Sequence, residues 1–170
     1  MTIQAVWQKL ASGINSGGFT VLPSSNVVLS VGGAAATGDY VGTSVTPQSF
    51  ADAVRKPGGT GIIKSIKITD KLTTTAVALE LWIFSQSFVA PTDNAAWAIT
   101  DAEAATCLGV IPISTSKWYA SSNNKIYTDD TLAIVIKPTA VNLFYALVAR
   151  GTTPAWATLD LTIELGILQD

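Results

Sequence analysis

The residues that come nearest to catalytic machinery are two pairs of acids, Asp101 with Glu103 and Asp129 with Asp130. Paired carboxylates hydrolyse glycosides when one acts as acid and the other as base or nucleophile. Each pair also has a plain structural reading. Thr100 followed three residues later by Glu103 is a capping box, so Asp101 and Glu103 belong in a first helical turn, where the macrodipole favours negative charge. Asp129 and Asp130 read as a turn between strands, and they lack the spaced oxygen ligands of a calcium loop. The chain has no histidine at all, which removes the commonest general base, every histidine-dependent triad and every histidine-containing zinc site. Gly33-Ala34-Ala35-Ala36-Thr37-Gly38 approaches a phosphate-binding loop, but Asp39 stands where that motif needs lysine and would repel the anion. The segment reads instead as a flexible loop. Cys107 lies among Ala104, Ala105 and Leu108 with no cation to lower its pKa, the setting of a small buried side chain. The expectation is no catalytic residue, no cofactor and no metal.

Five tryptophans remain: Trp7, Trp82, Trp97, Trp118 and Trp156. Aromatic faces serve both sugar stacking and protein interfaces. Trp82 sits in a strand pattern and reads as core. Trp97, Trp118 and Trp156 fall in connections, where aromatics of a weakly charged protein anchor interfaces. Trp7 and Leu10 share an N-terminal stretch in which Ile3, Val6, Trp7, Leu10 and Ile14 recur at helical spacing before Ser16-Gly17-Gly18. That stretch, 1–17, reads as an amphipathic arm on a glycine hinge, and 18–170 as one domain. Trp7, Leu10, Trp97, Trp118 and Trp156 are therefore the candidate interface residues.

The elements that must position them are strands. In Leu159-Asp160-Leu161-Thr162-Ile163-Glu164-Leu165-Gly166-Ile167 every odd position is a large aliphatic, as in a half-buried strand. Val77 to Phe84 alternates less cleanly because Trp82 and Phe84 share the face of Glu80, so both faces are expected to be covered. Further strands are expected at Ile62–Thr69, Val110–Ile113, Leu132–Lys137 and Leu143–Ala149, with weaker signals at Thr20–Leu22, Val27–Val31 and Tyr40–Val45. One short helix begins near Thr100 and is stopped by Gly109 after about two turns. Short strands with a single helix in a connecting loop predict an all-β, jelly-roll-like antiparallel sandwich.

Hydrophobic residues make up 48% of the 170 positions and charged ones 13%, about half the ~25% of an average soluble domain. Part of the surface is thus expected to be covered by something other than water. No apolar run reaches the roughly 18 residues of a spanning helix, so membrane is excluded as the cover and other protein chains remain. A net charge of −2 with only two arginines, Arg55 and Arg150, argues against nucleic acid. One cysteine permits no intrachain disulfide, and the N-terminus does not read as a signal peptide, so assembly in a cytoplasm is the default.

Several segments resemble a group of small tailed-bacteriophage head proteins, the capsid cement or decoration proteins. They are Thr37 to Gly42, Gly59 to Lys71 and Leu79 to Phe84, then Pro91 to Trp97 continuing through Asp101 to Ala104 and Leu108 to Ile111, and finally Val148 to Gly151 and Leu165 to Asp170. The resemblance runs in order over most of 37–170 and does not extend to the arm. It implies a jelly roll on the outer surface of the capsid, with the major capsid protein and its own copies, as a trimer, for partners. It implies no catalytic residue. The alternative is a receptor- or carbohydrate-binding domain of a phage fibre or tail, since jelly rolls serve there too.

Overall fold

A computed structural model describes residues 19–21, 25–43, 46–72 and 76–169, the first three by their backbone. The arm expected at 1–17, with Trp7 and Leu10, lies outside the described residues, as do Leu22 and positions 44 and 45. The elements in chain order are β1 (Phe19–Val21), β2 (Ser25–Asn26), β3 (Tyr40–Val41), β4 (Gln48–Phe50), β5 (Gly61–Asp70), β6 (Leu79–Phe84), α1 (Asp101–Ala104), β7 (Cys107–Ile113), β8 (Trp118–Ala120), β9 (Lys125–Asp129), β10 (Ile134–Ile136), β11 (Leu143–Ala149) and β12 (Leu161–Gln169).

The strands form two sheets. One has seven strands ordered β1-β12-β5-β9-β8, with β2 also on β12 and β10 also on β5; the other has five, ordered β3-β11-β6-β7, with β4 also on β11. Every pairing is antiparallel. Strands that share one partner count as single interrupted strands: β1 with β2, β3 with β4, and β9 with β10. Setting aside the edge strand β8, the pairings then nest, first with last, second with seventh, third with sixth, fourth with fifth. A long hairpin rolled on itself pairs in this way, and the result is a jelly roll. The sheets approach at corners where β2 lies beside β4 and β10 beside β7.

The core fills from alternate positions of both sheets. Ile63, Ile66, Ile68, Leu161, Ile163, Leu165 and Ile167 come from the seven-stranded sheet, and Leu79, Leu81, Ile83, Leu143, Tyr145 and Leu147 from the other, all buried. Each aliphatic side chain buried in this way contributes about 1.5–3 kcal/mol. The alternation breaks once in β5. Ile167 pairs with Ile63 and Gly166 with Ser65, so Lys64 is an extra residue, and both Lys64 and Ser65 face outward. This bulge keeps Ile63 and Ile66 on the same inner face despite their three-residue spacing.

Several boundaries differ from the sequence expectation. The helix is a single turn: its capping box is present, with Glu103 N–H donating to Thr100 Oγ1 at 3.2 Å, but Gly109 already belongs to β7. Val27–Val31 forms no strand. Its backbone instead bonds the turn before β12, with Val27 N–H to Leu161 O at 2.9 Å and Leu159 N–H to Val27 O at 3.1 Å. Leu159 therefore falls outside β12, in the left-handed region with φ 75°. Asp129, expected in a turn with Asp130, closes strand β9, and Leu132–Lys137 contracts to Ile134–Ile136. The glycine-rich loop is fastened, not free: Ala35 N–H donates to Thr153 Oγ1 at 2.7 Å and Ala36 N–H to Asp39 Oδ2 at 2.9 Å. Asp39 thus closes its own loop.

Candidate interaction surface

The two outer faces of the sandwich differ. On the five-stranded sheet, the outward residues Tyr40, Phe84 and Ala146 are buried because the connection after β6 folds over them, bringing Phe88, Ala90, Trp97 and Ile99 into a second apolar cluster. Trp97 is its hub, with ring centroids 5.8 Å from Tyr40, Trp82 and Phe88 and 6.2 Å from Phe84. This is the double covering that the mixed pattern of β6 implied. Asp93 pins the covering loop: Oδ1 accepts from Gly42 N–H at 3.0 Å, and Oδ2 from Gly32 N–H at 2.8 Å and Val31 N–H at 3.2 Å. Burial raises the Tyr40 hydroxyl pKa well above its usual range. At the margin Glu80 accepts from Arg150 Nη2 at 2.7 Å and Trp82 Nε1 at 3.0 Å, and the Arg150 bond holds its carboxyl below the usual value.

The seven-stranded sheet carries no such layer among the described residues. Cross-strand partners define three outward rows: Asn26, Thr162, Thr69, Ile126 and Tyr119; then Glu164, Lys67 and Thr128; then Leu168, Ile62 and Val135. Tyr119 is 68% exposed and Val135 66%. The Lys67–Glu164 ion pair leaves the middle row without net charge. Between the middle and lower rows lies a dent of about 240 Å³ lined by Ser65, Lys67, Thr128, Asp129, Asp130 and Glu164. Its cause is local: β5 bulges at Lys64, and its neighbour loops out over 130–133 between β9 and β10. A broad, hydroxyl-rich and aliphatic face with few unpaired charges suits another protein's surface.

Two of the four acidic candidates, Glu103 and Asp129, have structural partners. Asp101 is exposed in α1, and Glu103 is held in the capping box with a further bond from Val89 N–H at 3.0 Å. Asp129 accepts from Lys117 Nζ at 2.6 Å and from Thr131 Oγ1 at 2.7 Å. These bonds, the lysine's first, lower its pKa from 3.8 to about 2. A depressed carboxylate stabilises the fold fully above the unfolded value and ceases to as pH falls through the folded one. The stability difference between wild type and Asp129→Asn, measured by urea unfolding, is therefore expected to hold above pH about 4 and to vanish towards pH about 2. No group of three or more His, Cys, Asp or Glu residues gathers as metal ligands among the described residues. Cys107 is half-buried against the aromatic cluster, and burial raises its thiol pKa.

Of the described tryptophans named as interface candidates, Trp118 and Trp156 meet around one buried ion pair and Trp97 lies in the second cluster. Trp156 is buried in the main core, 1% exposed, and corrects the expectation: its Nε1–H donates to Asp70 Oδ2 at 3.2 Å, so its ring fills the space between the sheets. Trp118 packs on Tyr127 at 5.6 Å and donates from Nε1 to Val77 O at 2.9 Å. Trp97 serves the covering cluster. Beneath Trp118 and Trp156 lies a buried ion pair, Lys125 Nζ to Asp70 Oδ2 at 3.0 Å, on cross-strand partners of β9 and β5. Sequence reasoning missed both members, because Asp70 falls just past the strand expected at Ile62–Thr69 and Lys125 outside every expected strand.

No protein-family model matches the sequence, and no curated protein matches significantly. Among solved structures, one described as PRD1 vertex protein P5 aligns over 90% of this chain and 99% of its own, at 19% identity and a TM-score of 0.30. A superposition that loose carries no argument about fold or role.

Proposed function

We propose that this chain is a non-enzymatic structural protein of a tailed-bacteriophage particle, a cement or decoration protein on the outer surface of the capsid, assembled in the host cytoplasm. Its partners are the major capsid protein and further copies of itself, as a homotrimer, with neither nucleic acid nor membrane involved. The observation that carries the reading is the asymmetry of the sandwich: one outer face is largely covered by the chain's own loop, while among the described residues the seven-stranded face is open and carries few unpaired charges. The ordered resemblance of segments between 37 and 170 to head-decoration proteins supports the same reading.

Such a protein strengthens a shell by bridging neighbouring capsid subunits, so that opening a seam must also break the bridge. Copies joined in one assembly gain from effective concentration, and modest contacts per copy sum to high occupancy. The rows of threonine, isoleucine and tyrosine make these contacts apolar and hydrogen-bonded rather than ionic, and screening therefore affects them little. The test is co-sedimentation with heads of the phage that encodes the chain. Binding is expected to persist at 0.5 M salt and to fall at least about tenfold for Tyr119→Ala combined with Thr128→Arg, which alter exposed positions of the open face. Loss of binding in salt, or full binding by the double variant, would overturn the assignment of this face.

A further inference from the structure

We propose that the row Leu168, Ile62 and Val135 is a dock for the N-terminal segment of a second copy of this chain, which makes the assembly an exchange of arms. The inference deepens the self-association in the proposed function and rests on that part of it. Leu168 pairs with Ile62 and Ile62 with Val135, so three branched aliphatics stand side by side across β12, β5 and β10 on the open face. Leu168 is 38% and Val135 66% exposed. Elsewhere on this face the outward positions are chiefly threonine or a paired charge, as at Thr162, Thr69, Thr128 and Lys67–Glu164, with Ile126 and Tyr119 the apolar exceptions at the far end of the upper row. The aliphatic row thus marks a part of the sheet built for a different contact.

The occupant is indicated by where the chain enters the fold. Phe19 is the Cα partner of Leu168, so the eighteen preceding residues lead into the sheet next to this row. They carry Ile3, Val6, Trp7, Leu10 and Ile14 at helical spacing. As a helix, residues 3–14 would extend about 18 Å, enough to cross a row of three strands about 10 Å wide. Direction favours a second copy. Because β1 runs antiparallel to β12, the chain traced backward from Phe19 heads past Gln169, off the end of the sheet. Reaching its own row would require the chain to turn back on itself before Phe19. A second copy seated beyond that end of the sheet would be met along the direction in which β1 already points. A head-to-tail contact of this kind repeated around a rotation axis closes a ring, as a trimer requires.

The test uses the full chain in a Cys107→Ser background and no phage heads, so its outcome is independent of head binding. A chain carrying Leu10→Cys and a size-tagged chain carrying Val135→Cys are co-expressed, purified and mildly oxidised. A disulfide-linked pair of unequal chains is expected, at least tenfold above the control in which the second chain carries Thr152→Cys, an exposed position on the loop between β11 and β12. Both cysteine positions are also placed in one chain, where links between chains are expected. Only intrachain links there would overturn the exchange, and yields equal to the control would overturn the dock itself. Unchanged circular dichroism establishes that each variant is folded.

Discussion

Lys125→Met is expected to lower the unfolding free energy by about 3–5 kcal/mol, because it leaves a carboxylate buried without its counter-charge. Asp70 is fully buried and Lys125 is 2% exposed. Their 3.0 Å contact is roofed by Trp118, whose ring centroid lies 5.2 Å from the ammonium. Asp70 also accepts from Leu72 N–H at 2.8 Å and Trp156 Nε1–H at 3.2 Å. Those two neutral donors soften the loss but do not replace a cation. Asp70→Asn added to Lys125→Met removes the stranded charge and keeps an acceptor, so the double variant is expected to recover more than half of the deficit. Urea unfolding of the four proteins gives the coupling directly. A deficit below about 1 kcal/mol for Lys125→Met would mean that the pair does not hold the upper core together.

Trp97→Ala is the second large effect, with an expected cost of about 3–5 kcal/mol, the range for deleting a packed tryptophan. The ring is the common neighbour of Tyr40, Trp82, Phe84 and Phe88. Its Nε1 is buried with no hydrogen-bond partner among the described residues, so removing it forfeits chiefly packing. Trp97→Phe is therefore expected to restore most of the loss. Hydrogen exchange should quicken at Tyr40 and Ala146, which belong to the cluster, and a hydrophobic dye should bind the variant more strongly. If stability is unchanged while head binding falls, Trp97 is an interface anchor, as its place in a connection suggested, and its structural role is refuted.

The strands were legible where several inward positions in a row are aliphatic. Leu143–Ala149 and Ile62–Thr69 stand out because packing demands aliphatics at alternate positions, and the bulge at Lys64 is the one break in that rhythm along β5. Strand β9 was hidden because its inward residues begin with Lys125, a charge that is tolerable in a core only beside Asp70 on the neighbouring strand. That pairing depends on a register no single segment states. The same reason hid the open face. Leu168, Ile62 and Val135 are far apart in sequence and become neighbours only once β12, β5 and β10 are aligned. The loop tryptophans misled in the opposite way: Trp156 lies in a connection, yet that connection dips between the sheets, where a large ring fills volume and its N–H meets Asp70.

The measurement that bears most directly on the proposed role is a reconstruction of phage heads incubated with the purified chain. The account predicts added density on the outer surface, in threefold clusters across seams between capsid subunits, with the seven-stranded face turned to protein and the loop-covered face turned to solvent. Bare heads alongside a protein that stays monomeric at high concentration, or density with the seven-stranded face turned to solvent, would contradict it.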